Sequence, residues 1–368
     1  VELGHAIVRD DGRWIRCDDA RDVVVANGED AFTALDELAR GGFWVGFCSY
    51  DLGRSVERVT ANAVDDLALP DLAFVRFERR DVVSEPPRPA APVDLGSGTS
   101  SLTPEEHAHR VDEIRSLLLA GECYQVNLTR RITFDAQPDP LALFSQVSNA
   151  PHSMVCTFGS ALPGVAIVSA SPELFLRVDG SRIETRPIKG TARDRASLIA
   201  SAKDHAENVM IVDLARNDLG RVCEFGTVDV PELLTVETQP GLHHLVSSVT
   251  GTLRPGIRLG DVLRATFPPA SVTGAPKPRV MQAIDELEPV RRGIYCGAIG
   301  WIDGDTDRAE LAVAIRTFIM ANGRTTLGVG GGIVADSRAD HEWAETELKA
   351  AHLLHVAGAF ETEPVGSR

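Results

Sequence analysis

The 368-residue chain has no Cys-x-x-Cys pair and no histidine–cysteine cluster at zinc spacing. Its six cysteines, Cys17, Cys48, Cys123, Cys156, Cys223 and Cys296, are scattered. Neither a structural zinc nor a disulfide framework is indicated. Such cysteines are expected as small buried residues in a reducing compartment. No apolar run approaches the roughly 20 residues of a membrane span. The first residues, Val1-Glu2-Leu3-Gly4-His5, lack the basic-then-apolar pattern of a secretory signal. A cytoplasmic location without a membrane partner is therefore expected. Basic charge is also short: 37 Lys and Arg stand against 53 Asp and Glu, a net charge of −16. Nucleic acid needs a basic patch for its phosphates, so it is not expected as a partner. A small anionic ligand in a local cationic pocket is compatible with this charge. No tandem repeat is present.

What the chain does have is enough apolar content, 43%, for a large core in one big domain or two smaller ones. Residues 1–80 mix short apolar runs with acidic turns and read as strands with one short helix over Asp30–Ala39. The stretch Ser84–Pro92 carries four prolines, and Gly96–Ser100 is rich in Gly and Ser. Together they read as a linker or extended surface segment. A helix begins at Thr103-Pro104-Glu105-Glu106, with Thr as N-cap, Pro at N1 and Glu at N3. Val111, Ile114, Leu117 and Leu118 recur at helical spacing, and Gly121 closes the helix.

Two hairpins can be read with register. Asp179-Gly180 is a two-residue turn signal between Glu173–Val178 and Ser181–Arg186. Pairing outward from it sets Val178 against Ser181 and Glu173 against Arg186. Leu174, Leu176, Val178, Ile183 and Thr185 then share one face. The polar face is either a solvent side or an active-site wall, with Lys189 one step beyond Arg186 and close to Glu173. The second hairpin joins Tyr295–Ile302 to Ala309–Arg316 and sets Tyr295 opposite Arg316. A phenol beside a guanidinium can grip a carboxylate.

Helix Ala339–His355 places Glu342, Glu345 and Lys349 at i, i+3 and i+7, on one stripe. Two carboxylates one turn apart can share a hard divalent cation. They can equally form an ordinary Glu345–Lys349 surface pair. The preceding Gly328–Val334 reads as a glycine-rich strand with bare N–H donors, and it fits no nucleotide-loop pattern. Helix Ala206–Leu219 reads as largely buried, with Glu207 in its first turn as a dipole partner or metal ligand. His243 and His244 lie in an extended segment, so only one ring enters any given site.

These segments, in order, resemble the chorismate-utilising enzymes. That family includes anthranilate synthase component I, aminodeoxychorismate synthase component I, isochorismate synthase and salicylate synthase. The resemblance covers about residues 103–358. It rests on Gly121–Thr129, Ser171-Pro172-Glu173, Arg186–Thr191, Glu207–Asp218, His244–Ser247, Pro269–Lys277, Ala314–Thr317 and Gly330–Lys349. It implies an α+β fold, a sandwich of mainly antiparallel β-sheets flanked by helices. Residues 1–95 would be a variable N-terminal region of that sandwich and 101–360 the chorismate-binding catalytic domain. Glu207 and Glu345, with Glu342 nearby, would hold Mg2+ and through it the ring carboxylate of chorismate. Tyr295 and Arg316 would grip the enolpyruvyl carboxylate. Backbone donors of Gly330, Gly331 and Gly332 and the charge of Lys349 would assist them. Thr191 would line the pocket, Glu173 would be the general acid, and His244 would stand on the ring side.

Two positions separate family members. The water-using enzymes resemble one another in carrying lysine where this chain has Gln125. Anthranilate synthases resemble the pattern Pro-Ile-Ala-Gly-Thr, whereas Pro187–Thr191 is Pro-Ile-Lys-Gly-Thr, as in the enzymes that aminate C4. The resemblance thus implies amination at C4 through a covalent Lys189 intermediate, with Arg186 and Arg193 helping to keep the amine neutral. The alternatives are amination at C2 with loss of pyruvate, or a chorismate-binding subunit with no catalysis of its own. No Leu-Leu-Glu-Ser segment is present, so tryptophan feedback is not expected. No glutaminase segment with a nucleophile-elbow cysteine is present either, so ammonia is expected from free ammonium or from a separate glutamine amidotransferase subunit.

Overall fold

Short apolar runs punctuated by turn residues build strands along most of the chain. The computed structural model describes residues 3–60, 62–85, 92–148, 150–192, 194–239 and 242–362, with only the backbone described for Thr191, Gln239 and Leu242. Arg193 and part of the proline-rich stretch lie outside these residues. The first five strands are β1 (Ala6–Asp10), β2 (Arg13–Ala26), β3 (Phe43–Cys48), β4 (Leu72–Val83) and β5 (Gly96–Ser100). Next come β6 (Gln125–Phe134), β7 (His152–Thr157), β8 (Ala166–Ser171), β9 (Leu174–Asp179), β10 (Arg182–Arg186) and β11 (Ile188–Ala192). β12 (Asp229–Gln239), β13 (Leu242–Thr252), β14 (Gly274–Ala275) and β15 (Ala298–Asp303) follow. The last are β16 (Arg308–Val313), β17 (Thr317–Ala321), β18 (Arg324–Ile333) and β19 (Ala359–Thr362). The helices are α1 (Glu29–Leu38), α2 (Pro104–Leu119), α3 (Pro140–Val147), α4 (Arg195–Ala200), α5 (Ala202–Gly220), α6 (Leu259–Thr266), α7 (Lys277–Leu287) and α8 (Ala339–Val356).

The strands form two layers. One runs β5–β6–β18–β17–β8–β7. The other runs β4–β3–β15–β16–β9–β10–β13. β1 pairs with both β7 and β2, and β2 with β4, so the layers are continuous at one edge. Every named strand pair is antiparallel except β19 with β5. The layers touch through Phe47 and Phe158, whose rings meet edge-on at 5.3 Å. On the outer side of the first layer, Phe144 of α3 and Leu353 of α8 join Val168, Phe318 and Val329 in a second apolar cluster. This is the expected α+β sandwich. All six cysteines are buried and free.

Local signals account for several boundaries. Thr103 accepts from Glu106 N–H while the Glu106 carboxylate accepts from Thr103 N–H, the expected capping box of α2. Four expectations are corrected. The first hairpin turns at Gly180-Ser181, with Asp179 paired to Arg182, Val178 to Ile183 and Leu174, not Glu173, opposite Arg186. Gly180 takes the positive φ of the turn, and β16 fixes the register from the other side by pairing Arg308 with Asp179. The slip is an even number of residues over most of the hairpin, so Val178 and Ile183 keep their shared face. Gly96–Ser100 is a strand rather than a linker, because β6 and β19 both pair with it. Helix α5 starts at Ala202, where Ser201 accepts from Asp204 N–H, so Glu207 falls in its second turn. The helix is one-sided rather than largely buried: Asn208, Ile211, Val212, Asp218 and Leu219 face inward while Val209 is exposed.

Candidate active site

Lys189 lies on β11, which pairs with β13 beside α5. Its ammonium reaches the glycine-rich β18 of the other layer. A Cβ built on Gly332 would stand 3.5 Å from Lys189 Nζ and 2.7 Å from the Gln125 amide nitrogen. Gln125 is fully buried, and neither its amide nitrogen nor its oxygen has a hydrogen-bond partner among the described residues. An unpaired buried amide is costly, so this one points to a ligand. Burial lowers the Lys189 pKa, and Lys349 lowers it further, against opposing pulls from Glu207, Glu173 and Glu345. Arg186 does not help, because its guanidinium bonds Glu232 at 2.8 Å and Glu237 at 2.6 Å.

Glu173, just before β9, is buried. Burial raises its carboxyl to about 7, although Ser271, Lys189, the Ile188 N–H and Lys349 favour the charged form. A carboxyl poised near neutrality can serve as a general acid. It lines a cleft together with Ser271, Asp218, Thr266 and Ile211.

The other acidic groups gather by Gly331 of β18. Strand alternation turns Gly331 toward α8, where a Cβ would meet Glu342 Oε2 at 3.5 Å and Glu345 Oε1 at 3.6 Å. Glu342 is buried, Ser337 donates to its Oε1 at 2.6 Å, and its Oε2 has no hydrogen-bond partner among the described residues. Glu207 comes from α5, its pKa raised by burial in spite of Lys189 and Lys203. Among the described residues no three His, Cys, Asp or Glu side chains close into a ready metal cage. The donor set is nevertheless all oxygen, and the orphaned Glu342 Oε2 lacks a partner that a hard divalent cation would provide. Lys349 bonds Glu345 at 2.7 Å and the Gly330 carbonyl at 2.8 Å, so it ties helix α8 to the glycine strand.

The second hairpin has the expected register, Ala298 to Val313 through Asp303 to Arg308, but its ladder stops before Tyr295 and Arg316. The chain kinks there, with positive φ at Cys296 and Arg316. The Tyr295 ring is buried under Gly328, where any Cβ would lie 2.3 Å from it. Arg316 is half-buried, burial lowers its pKa, and no carboxylate bonds it among the described residues. It lies by His244, whose ring burial and the Arg316 charge push down to about 4. His244 is buried and His243 is turned outward to the Thr238 hydroxyl, as an extended segment requires. Thr191 pairs through its backbone with His244, and its side chain lies outside the described residues.

Sequence reasoning missed four supporting residues. Ser271 donates to Glu173 and was visible only as part of the Pro269–Lys277 motif. Ser337 holds Glu342. Asn208 donates to the Leu245 carbonyl and accepts from Ser247, which locks α5 onto β13 next to Glu207. Lys203, one turn before Glu207, stands between Glu207 and Glu342.

The fold is that of the anthranilate synthase component I class of α+β sandwich. The solved anthranilate synthase component I from Streptococcus pneumoniae TIGR4 superposes with a TM-score of 0.76 at 27% identity, over 95% of this chain and 90% of that one. The chain belongs to the chorismate binding enzyme family, whose model matches residues 13–355. It is 39% identical over 358 residues to aminodeoxychorismate synthase component 1 of Escherichia coli K12, spanning 88% of this chain and 78% of that protein. It is 38% identical over 370 residues to an anthranilate synthase component 1 of Haloarcula marismortui, spanning 93% and 74%. No described helix is long and apolar enough to cross a membrane.

Proposed function

We propose that this chain aminates chorismate at C4 to give 4-amino-4-deoxychorismate, using ammonia from a separate glutamine amidotransferase in the cytoplasm. The observation that carries the reading is Lys189 itself, an amine with a lowered pKa coupled to a neutral-range acid, Glu173. Gln125 lies beside it where a water-activating lysine would be needed for hydroxylation. The neutral Lys189 amine attacks C2, the ring double bond shifts, and the C4–O bond breaks. Glu173 gives its proton to the departing hydroxyl, which leaves as water. Ammonia then bonds to C4, the double bond shifts back, and the C2–N bond to Lys189 breaks. The new C4 ammonium returns a proton to Glu173, which restores both residues.

Arg316 is the charge for the enolpyruvyl carboxylate, since no carboxylate of the protein engages it among the described residues. The Gly330 N–H shares the strand edge of the Gly330 carbonyl that meets Lys349, and with the Gly332 N–H it serves as a further donor, whereas Gly331, opposite Leu128, turns its N–H into the β6 ladder. Tyr295 supports that strand from below, and neutral His244 flanks the ring with Thr191. Glu207, Glu342 and Glu345 would hold Mg2+, which when bound supplies positive charge for the ring carboxylate. Residues 101–360 form the catalytic part, and 1–95 complete the sandwich.

Chorismate, Mg2+ and ammonium incubated with the purified chain test this. Formation of 4-amino-4-deoxychorismate, converted to p-aminobenzoate by an added lyase, is the expected result. Direct appearance of fluorescent anthranilate would replace this reading with amination at C2, the activity named for the Haloarcula relative.

A further inference from the structure

Lys203 is exposed over half its side chain, yet its ammonium points inward. It stands 3.5 Å from Glu342 Oε1 and 3.8 Å from Glu207 Oε1, on carboxylates of two different helices. Glu207, Glu342 and Glu345 are the carboxylates assigned to the divalent cation. Without some positive charge they would repel one another across a site that also contains the buried, half-satisfied Glu342. They do not close into a three-ligand cage, and the group standing between two of them is an ammonium.

We propose that Lys203 is a built-in counter-cation, which occupies the divalent-cation position of the free protein and has to be displaced when the metal enters. It is a positioning residue: it touches neither chorismate nor Lys189 in this assignment. It offsets the repulsion between Glu207 and Glu342, and it sets the affinity of the site for metal by competing for the same oxygens. The inference rests on the assignment of Glu207, Glu342 and Glu345 to the cation.

The test is calorimetric titration of MgCl2 into metal-free protein, with no substrate, for wild type, Lys203→Met and Lys203→Arg. Removing one positive charge a few ångströms from a divalent site is expected to tighten Mg2+ binding by about tenfold in Lys203→Met. Lys203→Arg, which keeps the charge, is expected to stay near wild type. In EDTA, Lys203→Met is expected to melt earlier than wild type and to regain the difference on adding Mg2+. Wild-type binding with no tightening in Lys203→Met would overturn the counter-cation role and leave the cation site standing. No Mg2+ binding by any of the three proteins would overturn both.

Discussion

Lys189 Nζ lies 3.5 Å from the point where a Cβ on Gly332 would stand. The glycine strand and the proposed nucleophile are therefore separated by no more than one methyl group. The Gln125 amide nitrogen, 2.7 Å from the same point, closes the other side. Lys189 belongs to one sheet layer, Gly332 and Gln125 to the other, so the site exists only because β18 is bare enough for the layers to approach.

Gly332→Ala should thus act on geometry more than on stability. The added methyl meets the ends of two side chains rather than backbone, so they can turn aside. A cost of about 1 kcal/mol is expected in urea denaturation. Displacing Lys189 by an ångström is expected to lower kcat about 10²-fold. Loss of stability without loss of kcat would show that the close approach has no catalytic role.

Glu173 makes both rate and stability depend on pH. Its carboxyl titrates near 7 in the folded protein and near 4.5 when exposed. The folded state thus binds the extra proton between those values. The stability associated with that proton is fully present below about 4.5 and is lost as pH rises through 7, by roughly 3 kcal/mol in total. Glu173→Gln is expected to abolish that slope and to be more stable than wild type at pH 8, read by denaturation at several pH values. Turnover of wild type should fall above pH 7 as Glu173 loses its proton. It should also fall toward low pH as Lys189 gains one.

Lys189→Met removes a positive charge that favours ionised Glu173. The Glu173 carboxyl should then titrate above 7, and the stability slope should extend to higher pH. Turnover with ammonium should drop by at least about 10³-fold, as for loss of a covalent nucleophile. An unchanged Glu173 titration would mean that the two groups are not electrically coupled.

Arg316→Ala should raise KM for chorismate by about 10²-fold, because a buried charge-assisted pair with the substrate is lost. His244 provides an independent readout. Burial and the Arg316 charge hold it near 4, so the variant should show it titrating higher by NMR. A change in KM with no movement of His244 would separate substrate binding from the local field.

The parts legible in the sequence were those governed by local chemistry. The α2 capping box needs only Thr103 and Glu106, and the second hairpin register follows from the spacing of Ala298 and Val313 around one loop. What failed depended on partners distant in sequence. The first hairpin is set by its pairing to Arg308, more than a hundred residues on, rather than by Asp179-Gly180 alone. Tyr295 and Arg316 left the ladder because the backbone turns at Cys296 and again at Arg316. Nothing near Lys203 in sequence shows that Glu342, from α8, lies against it. Arg186 and Lys189 are neighbours in sequence, but β12 provides two carboxylates that take Arg186.

The most direct measurement is mass spectrometry of the peptide containing Lys189 after incubation with chorismate and Mg2+ in the absence of ammonia. Attack at C2 with loss of the 4-hydroxyl should leave Lys189 carrying the mass of chorismate less one water, and ammonium should discharge it. A Lys189 peptide that stays unmodified while the same preparation turns over chorismate once ammonium is supplied would contradict the covalent role.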